Sequence, residues 1–454
     1  MALELICPIE YRYGRRESRE IFTTEEALRR ALRVEAALAR ALADEKLIPP
    51  EAATDIEAAV RERRVTLARV EALEAETRHD IMAIVKALSE VSDRGAAYVH
   101  LGATSNDILD TARGLELLSA SQLLRSSLKE LCQSLAMQAE RYRKTAMVGR
   151  THGQHAVPTT FGYKLTNFLS ELTRHLERLD EIVPRLAVGK MSGAVGTGAS
   201  FGASGETIEA RVMSLLGLVV EEAPTQVTGR DRLAEFSFWI AMVASTLDRL
   251  TTEVRNLQRT EIGELSEPFD ESRQVGSSTM AQKRNPVTAE NISSLARLVR
   301  AFPQTSLENM VSWHERDLAN SANERFLYSH GVILLDDMLV KTRQIVEGWK
   351  VNAARMQENL AISGGSVMTE NVMLELARKG MSRQEAHELM RTLTRGLGAG
   401  GADELLQRAR ADSRLTKWLT DAELTYLFSP QAYVDAAAAK AERVLLSVRA
   451  RLGK

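Results

Sequence analysis

Apolar residues recur at three- and four-residue steps along most of the chain, the spacing of one helix face. In residues 24–47 the apolar positions include Leu28, Leu32 and Leu38, and Thr24 is a candidate N-terminal cap. The same pattern recurs in the segments 54–75, 81–90, 107–143, 161–187, 205–216, 230–262, 287–310, 322–360, 368–378, 382–396, 402–409 and 430–452. Strand-like alternation is nearly absent, so the pattern predicts an all-α fold.

Several of these segments are far longer than an average helix of about 11–12 residues. The longest, 107–143, 161–187, 230–262 and 287–350, each have an apolar face that needs a partner, which predicts a bundle of long helices. On 230–262 the apolar positions cover more than one helical face, and we interpret that width as contacts between subunits. The positions are Trp239, Met242, Leu247, Leu250, Val254 and Leu257.

Four polar breaks that contain glycine interrupt the helical pattern, at 99–107, 149–162, 192–205 and 267–286. We predict loops there, and loops on a rigid scaffold commonly carry function. The glycine-rich break 192–205 has no strand before it, which argues against a dinucleotide-binding site.

The composition excludes several functional classes. The 454 residues carry a net charge of −2, which does not suggest a nucleic-acid binder. Two cysteines, Cys7 and Cys132, form neither a disulfide framework nor a metal motif, so a reducing compartment fits. The N-terminus does not resemble a signal peptide, and the most apolar stretch, 236–247, is too short to cross a membrane.

Four of the eight histidines, His79, His100, His152 and His155, lie in polar clusters beside predicted loops. A histidine taken alone is more often a hydrogen-bonded structural residue than a functional one. No HxH or HExxH pattern accompanies these residues, so a zinc site would have to be assembled by tertiary structure and is disfavoured.

Two further polar segments carry candidate chemistry. In 276–286 the backbone N–H groups and Lys283 are suited to surround an anion, although a solvated loop is the simpler interpretation. In 313–325, Arg316 and Arg325 would diverge on one helix but converge if a turn lies between them. Paired arginines suit a carboxylate or phosphate, and surface ion pairs with the neighbouring glutamates are the alternative.

Three sequence blocks occur in an order that resembles the fumarase/aspartase superfamily. The loop GSSTMAQKRNP at 276–286 is similar to its signature loop, and HLGATSND at 100–107 and GRTHGQHAVPTTFG at 149–162 are similar to two other blocks. The resemblance implies three helical domains with a long central helix bundle. Their expected bounds are 1–109, 110–358 and 359–454.

Within that superfamily the chain most resembles the adenylosuccinate lyases. The similar segments are Tyr11 to Gly14, Thr225 to Val227 followed by Arg230, and WHERDLANSANER at 313–325. The implied reaction is β-elimination of fumarate from adenylosuccinate, giving AMP, and from the succinylated aminoimidazole carboxamide ribotide, giving AICAR. The alternatives are another superfamily lyase or cycloisomerase that acts on a different substituted succinate, and a non-catalytic helical scaffold.

The resemblance assigns roles to individual residues. Ser277 would be the base, His152 the general acid and His79 an orienting residue, while Lys283 would assist Ser277 and Glu290 would fix the tautomer of His152. The residues expected to bind substrate are Arg12, Tyr13, Arg78, His79, Asp80, Thr104, Ser105, Thr151, Gln226, Ser278, Lys283, Asn285, Arg316, Ser321 and Arg325.

The resemblance also implies a cytoplasmic homotetramer whose active sites are shared between subunits and need no metal or organic cofactor. The chain departs from the signature at Ala281, where the superfamily usually has proline. Because proline fixes φ, alanine should leave the loop freer and make its closure entropically more costly.

Overall fold

The computed structural model describes residues 6–397 and 403–453. Helices make up most of the chain, and the all-α prediction is confirmed. The helices of the N-terminal part are α1 Pro8–Tyr11, α2 Arg16–Glu20, α3 Thr24–Asp44, α4 Pro50–Arg61, α5 Leu67–Thr77, α6 Asp80–Ser89, α7 Ser105–Arg141, α8 Phe161–Leu186, α9 Gly205–Leu216 and α10 Asp231–Leu257. Those that follow are α11 Val287–Val299, α12 Phe302–Glu308, α13 Ser321–Gly348, α14 Ala353–Ala361, α15 Thr369–Arg378, α16 Arg383–Leu393, α17 Glu404–Ala411, α18 Ser413–Thr416, α19 Asp421–Leu427 and α20 Gln431–Leu452.

Short strands form three two-stranded pairs in the described part of the chain. The longest pair is an antiparallel hairpin of β1 Ala146–Thr151 and β2 Gln154–Thr160. It occupies the break at 149–162, so the prediction of a loop there was wrong. The others are the parallel pair β3 Val188–Gly189 with β4 Val219–Val220 and the antiparallel pair β5 Leu265–Ser266 with β6 Lys350–Val351.

The start of α3 shows how local sequence sets a helix boundary. Its cap is Thr23, whose side chain accepts a hydrogen bond from the backbone N–H of Glu26, and not Thr24 as predicted. Glu25 and Glu26 then place negative charge in the first turn, where the helix dipole favours it. The apolar face beyond them is buried, with Leu32 and Leu38 at 0% and 1% exposure.

Three predicted helical segments are interrupted. The segment 54–75 divides into α4 and α5, which residues 62–66 separate. The segment 287–310 divides into α11 and α12, with Pro303 in the first turn of α12, where the missing proline N–H is tolerated. The segment 322–360 divides because α13 ends at Gly348, before β6 and α14. A Cβ at Gly348 would lie 2.7 Å from Cγ of Pro268, so glycine is needed for this close approach. Residue 402 of the predicted helix 402–409 lies outside the described residues.

The chain divides into two compact units. The first consists of Met1–Ser127, His175–Ser245 and Leu295–Met338. One of its apolar clusters is formed by α3 to α6, the start of α7 and α9, and fully buried members include Leu32, Ile56, Leu88, Ile108 and Ile208.

The second unit consists of Leu128–Arg174, Thr246–Ser294 and Leu339–Lys454. One of its apolar clusters joins α15 to α19, and another joins the β1–β2 hairpin to α14 and the start of α20. The division into three domains at 1–109, 110–358 and 359–454 stays a prediction.

The wide apolar surface of α10 is mostly covered by the chain itself. Trp239, Leu247 and Leu250 are 1%, 0% and 2% exposed, whereas Met242 is 40% exposed. The chain itself accounts for the burial of these three residues, and contacts between subunits at α10 stay a prediction. Among residues 6–397 and 403–453, no helix combines the length and apolarity required to cross a bilayer.

Candidate active site

The first unit holds the predicted substrate-binding residues of the N-terminal segment. Arg12 and Tyr13 follow α1, with Arg12 exposed and Tyr13 half-buried. The next two residues anchor the segment: the N–H of Gly14 donates to Oδ1 of Asp337 at 3.2 Å, and the guanidinium of Arg15 donates to both carboxylate oxygens of Asp336 at 2.7 and 2.9 Å. Arg15 thus positions the candidate pair beside it, a role that the sequence did not indicate.

The segment Arg78–His79–Asp80 forms the junction between α5 and α6. Arg78 has φ +53°, a left-handed conformation that ends α5. His79 caps α6, because its Nδ1 accepts a hydrogen bond from the N–H of Met82 at 3.3 Å. Since Nδ1 is an acceptor, the neutral ring carries its proton on Nε2. The side chain of His79 is 48% exposed, so Nε2–H is available to a ligand.

Asp107, in the first turn of α7, holds the segment with Thr104 and Ser105. Its carboxylate accepts from the N–H of Thr104 at 2.7 Å and from those of Ser192 and Gly193 at 3.0 and 3.1 Å. The ammonium of Lys190 completes the site with an ion pair in which both side chains are 0% exposed. This one carboxylate therefore joins two of the predicted polar breaks.

His100 lies in the same sequence block but faces Glu35. Its ring Nδ1 is 2.7 Å from Oε1 of Glu35, and its backbone N–H donates to Oε2 of Glu35 at 3.1 Å. Burial alone lowers the pKa of His100, but the hydrogen bond and the charge of Glu35 outweigh burial and raise the pKa above its ordinary value. His100 is therefore a structural residue of this block.

Asp110, one turn after Asp107, anchors the segment that contains Gln226. It accepts from the N–H of Thr228 at 2.8 Å and from both terminal nitrogens of Arg230 at 2.9 and 3.1 Å. Nε of Arg230 donates to Glu324 at 3.0 Å. Burial opposes the charge of Arg230, but the two carboxylates outweigh it and raise the pKa of the guanidinium.

The arginines of segment 313–325 are not on one helix, because a turn separates Arg316 from α13. Arg316 donates to Oε1 of Gln226 at 2.7 Å, which brings two predicted substrate-binding residues together. Ser321 begins α13, and Arg325 is exposed one turn further on. The alternative of a surface ion pair does not hold for Glu324, which is buried and paired with Arg230. Both arginines thus lie on a segment that Glu324 anchors.

In the second unit, His152 occupies the tip of the β1–β2 hairpin. His152 and Gly153 are the two turn residues between Thr151 and Gln154, with φ +54° and +75°. Positive φ at both positions is typical of a type I′ turn, which matches the twist of a hairpin. Left-handed backbone is uncommon for a side-chain-bearing residue, and the tip leaves His152 exposed.

A buried ion pair fixes the base of this hairpin. The guanidinium of Arg150 donates to both oxygens of Glu264 at 2.9 and 2.7 Å, and Glu264 is 0% exposed. Asn359 donates to Glu264 at 2.7 Å. On the other strand, Nδ1 of His155 lies 2.9 Å from Oγ of Ser363, and burial followed by the charge of Arg150 lowers the pKa of His155. These contacts hold the strands that carry Thr151 and His152.

The signature loop places Ser277 under two backbone donors. Oγ of the half-buried Ser277 accepts from the N–H groups of Thr279 at 3.2 Å and Met280 at 3.1 Å. Hydrogen bonds to the oxygen favour its charged form over the neutral hydroxyl. Nδ2 of Asn285 donates to the carbonyl of Gly276 at 3.0 Å, and this hydrogen bond joins the two ends of the signature loop.

The remaining loop residues are open to solvent. Ser278, Lys283 and Glu290 are exposed, and within the described chain neither the ammonium of Lys283 nor the carboxylate of Glu290 has a hydrogen-bonding partner. Glu290 therefore makes no hydrogen bond to His152 in the single chain. In the described part of the molecule, no three His, Cys, Asp or Glu side chains are grouped to hold a metal.

Sequence reasoning missed the buried charges that position the candidates. The sequence signal for these buried charges is a charged residue directly beside an apolar one, as at Asp107, Asp110, Lys190 and Glu264. Charged residues are rarely buried unless they are paired, so each predicts a distant partner without naming it.

Comparison with known families gives two matches along the chain. A family model described as "Lyase" matches residues 10–301, and one described as "Adenylosuccinate lyase C-terminus" matches residues 365–444. The first match covers the candidate residues from Arg12 to Glu290, whereas Arg316, Ser321 and Arg325 lie between the two matches.

Individual relatives match over nearly their whole length. The adenylosuccinate lyase of Pyrococcus abyssi is 47% identical over 438 residues, covering 96% of this chain and 97% of the relative. The adenylosuccinate lyase of Methanocaldococcus jannaschii is 41% identical, and the match covers 97% of this chain and 96% of the relative. Among solved structures, the 3-carboxy-cis,cis-muconate lactonizing enzyme of Pseudomonas putida has a TM-score of 0.86 at 33% identity, covering 98% of this chain and 99% of its own. The chain belongs to the adenylosuccinate lyase family of the fumarase/aspartase superfamily.

Proposed function

We propose that this protein is a carbon–nitrogen lyase of purine biosynthesis that releases fumarate from adenylosuccinate, giving AMP. We extend the proposal to the succinylated aminoimidazole carboxamide ribotide, which would give AICAR. The observation that carries the chemistry is the pair of N–H groups directed at Oγ of Ser277. The observation that supports the substrate is the match to adenylosuccinate lyases over 96% of the chain.

The reaction begins at the carbon next to a succinyl carboxylate. Ser277 takes the proton from this carbon, and the electron pair left by the C–H bond spreads onto the carboxylate. A serine hydroxyl is a weak base, so its charged form must be stabilised. The N–H groups of Thr279 and Met280 support this role, and the exposed ammonium of Lys283 on the same loop adds positive charge.

The second half of the reaction breaks the C–N bond. The electron pair returns from the carboxylate to form the double bond of fumarate, and the departing nitrogen accepts a proton from His152. Histidine is the side chain that most often acts as a general acid in enzymes. Exposure of His152 at the hairpin tip supports access to a ligand. His79 orients the substrate through Nε2–H, the nitrogen left free by its capping bond.

The substrate is held by charge-assisted hydrogen bonds. Thr104, Ser105, Thr151, Ser278, Lys283 and Asn285 bind the succinyl carboxylates in this proposal. The nucleotide end is bound by Arg12, Tyr13, Arg78, Asp80, Gln226, Arg316, Ser321 and Arg325. Support comes from the hydrogen bond between Arg316 and Gln226 and from the buried charges that anchor their segments.

The proposal includes a cytoplasmic homotetramer, three helical domains per subunit and active sites shared between subunits. Glu290 would then fix the tautomer of His152 from a neighbouring subunit, since within the described part of one chain the two residues share no hydrogen bond. The chemistry needs no metal or organic cofactor, because side chains supply the base, the acid and the positive charge. Light scattering of the purified protein tests the tetramer.

The direct test incubates purified protein with adenylosuccinate and follows AMP and fumarate by chromatography. Ser277→Ala and His152→Ala should each lower kcat by about 100- to 10,000-fold, the usual contribution of an acid or base. His387→Ala, an exposed histidine outside the candidate site, is the matched control and should retain activity. Folded, tetrameric wild type that forms no product would refute the substrate assignment.

The alternative is a superfamily lyase or cycloisomerase for another substituted succinate, and the similarity to a muconate lactonizing enzyme is its support. Arg325 separates the two. Arg325→Ala should lower kcat/KM for a phosphorylated substrate by about 10- to 100-fold, from a charged hydrogen bond of about 1.5–3 kcal/mol. If a non-phosphorylated substituted succinate is the better substrate and Arg325→Ala leaves its turnover unchanged, the alternative is correct.

A further inference from the structure

Glu267 is the last residue before loop 268–286, which contains the signature loop 276–286, yet its carboxylate contacts the helix that follows the loop. Oε1 accepts from the N–H of Thr288 at 3.1 Å, and Oε2 accepts from that of Ala289 at 3.0 Å. The residue is only 3% exposed. One side chain thus connects the two ends of the segment that carries Ser277.

The helix that Glu267 contacts has no cap of its own. The first N–H groups of a helix lack partners within the helix, and a nearby side chain usually supplies the acceptor. Pro286 precedes α11 and has no side-chain acceptor. Glu267 replaces the missing cap, and its negative charge is favourable at the positive end of the helix dipole.

A second residue reinforces the same connection. Oε1 of Gln258 accepts from the N–H of Glu267 at 2.9 Å, and its Nε2 donates to the carbonyl of Arg284 at 3.2 Å. Gln258 lies just after α10, so both ends of the loop are attached to one point outside it.

The electrostatics of Glu267 match this arrangement. Burial raises the pKa of the Glu267 carboxyl above its usual range, while the N–H groups of Thr288 and Ala289 act in the opposite direction. The amides of α11 therefore compensate part of the cost of burying the charge.

We propose that Glu267 is a positioning residue, which holds the two ends of loop 268–286 together and thereby places Ser277. It does not touch the reacting atoms and acts through the loop. The inference rests on the proposed function for its effect on turnover, whereas the effect on loop order is independent of any substrate.

The test asks whether Glu267 holds the two ends of the loop together or only caps α11. Glu267→Gln keeps the size of the side chain but turns an amide donor toward one of the two N–H groups. Pro286→Ser gives α11 a local cap, since a serine there can accept from Thr288 or Ala289. The double variant is compared with Pro286→Ser alone. Glu261→Gln, whose side chain is 76% exposed ahead of the loop, is the control.

Hydrogen exchange without substrate is the first readout. Glu267→Gln should raise exchange both in residues 276–283 and in the first turn of α11, and Glu261→Gln in neither. In the double variant the local cap should restore protection to α11 but leave the loop exchanging fast. If the loop is as protected in Glu267→Gln as in wild type, Glu267 does not position it.

Turnover of adenylosuccinate is the second readout. Glu267→Gln should lower kcat more than it raises KM, with kcat/KM falling by about 100-fold, the effect of misplacing a reacting group by an ångström. The kcat/KM of the double variant, Glu267→Gln with Pro286→Ser, should stay well below that of Pro286→Ser alone. Recovery to the level of Pro286→Ser would reduce Glu267 to a helix cap. If wild type does not turn over adenylosuccinate, the proposed function fails, and hydrogen exchange still decides the role of Glu267.

Discussion

Replacing Asp107 by asparagine should destabilise the protein strongly, because this residue neutralises a buried lysine. The carboxylate of Asp107 and the ammonium of Lys190 are both 0% exposed. Asparagine has nearly the same shape, so the change removes the charge and leaves the packing. Its amide also turns a donor toward the N–H groups that now donate to the carboxylate, those of Thr104, Ser192 and Gly193.

The magnitude follows from these contacts. Removing one partner of a buried ion pair costs about 3–5 kcal/mol, because the other charge stays buried without compensation. A buried amide that loses its acceptor adds about 1–3 kcal/mol. The two effects overlap in one site, so we expect Asp107→Asn to lower the free energy of unfolding by about 4–6 kcal/mol.

A double-mutant cycle tests the cause. Urea unfolding is followed by circular dichroism for wild type, Asp107→Asn, Lys190→Met and the double variant, at one protein concentration because association shifts the midpoint. Without the lysine charge, the loss of the carboxylate should cost less. The double variant should therefore be more stable than the sum of the single changes predicts, by about 2 kcal/mol or more.

Additive effects, or a cost below about 1 kcal/mol for Asp107→Asn, would refute the reasoning. The matched control is Glu90→Gln, which removes a carboxylate from the exposed ion pair with Arg69, whose side chains are 46% and 42% exposed. Its midpoint should stay at the wild-type value because solvent screens such pairs.

Three further predictions concern the loop and one histidine. Ala281→Pro should raise kcat/KM by about twofold to fivefold and slow hydrogen exchange of the loop. Proline lowers the entropic cost of ordering the loop by about 0.4–1 kcal/mol, and the N–H that it removes donates to no backbone carbonyl. An equal or lower kcat/KM would contradict this prediction. Gly276→Ala should abolish turnover in a folded protein, because a Cβ would lie 1.9 Å from the carbonyl oxygen of Lys283, and wild-type kinetics would disprove this. Glu35 raises the pKa of His100 in the folded protein. The protonated His100 therefore stabilises the fold fully below about pH 6.5, and this stabilisation is lost as pH rises through the folded-state pKa. Urea midpoints between pH 6 and 9 should fall more steeply for wild type than for His100→Gln, and parallel slopes would contradict this prediction.

Helical periodicity predicted the long elements well because most of their information is local. The segment 107–143 corresponds to α7, Ser105–Arg141, and 161–187 to α8, Phe161–Leu186. Where a helix is interrupted, the cause is often distant in sequence. Gly348 ends α13 beside Pro268, and periodicity cannot reveal that contact.

The hairpin was missed for a different reason. Its turn, His152–Gly153, lacks the Asn-Gly or Asp-Gly pair that marks most two-residue hairpins. Its strands contain polar residues such as Arg150, which reads as a loop until its buried partner Glu264 is known.

The candidate site was predictable in its residue types but not in its supports. Resemblance named Ser277 and His152. The backbone N–H groups of 276–286, which we expected to suit an anion, include two that donate to Oγ of Ser277. Glu267 gave no signal, because a glutamate before a proline looks like an ordinary loop residue. Its partners lie beyond the loop, and only the folded chain brings them together.

Asn285 closes the signature loop through its hydrogen bond to Gly276, and the proline that follows it has a consequence for how the protein ages. An asparagine in an exposed loop can lose ammonia when the backbone nitrogen of the next residue attacks its side-chain carbonyl. Here the next residue is Pro286, whose nitrogen carries no hydrogen. That spontaneous reaction is therefore blocked at the position that closes the loop. The loop should keep its shape in old enzyme molecules, even where exposed asparagines elsewhere have turned into aspartate.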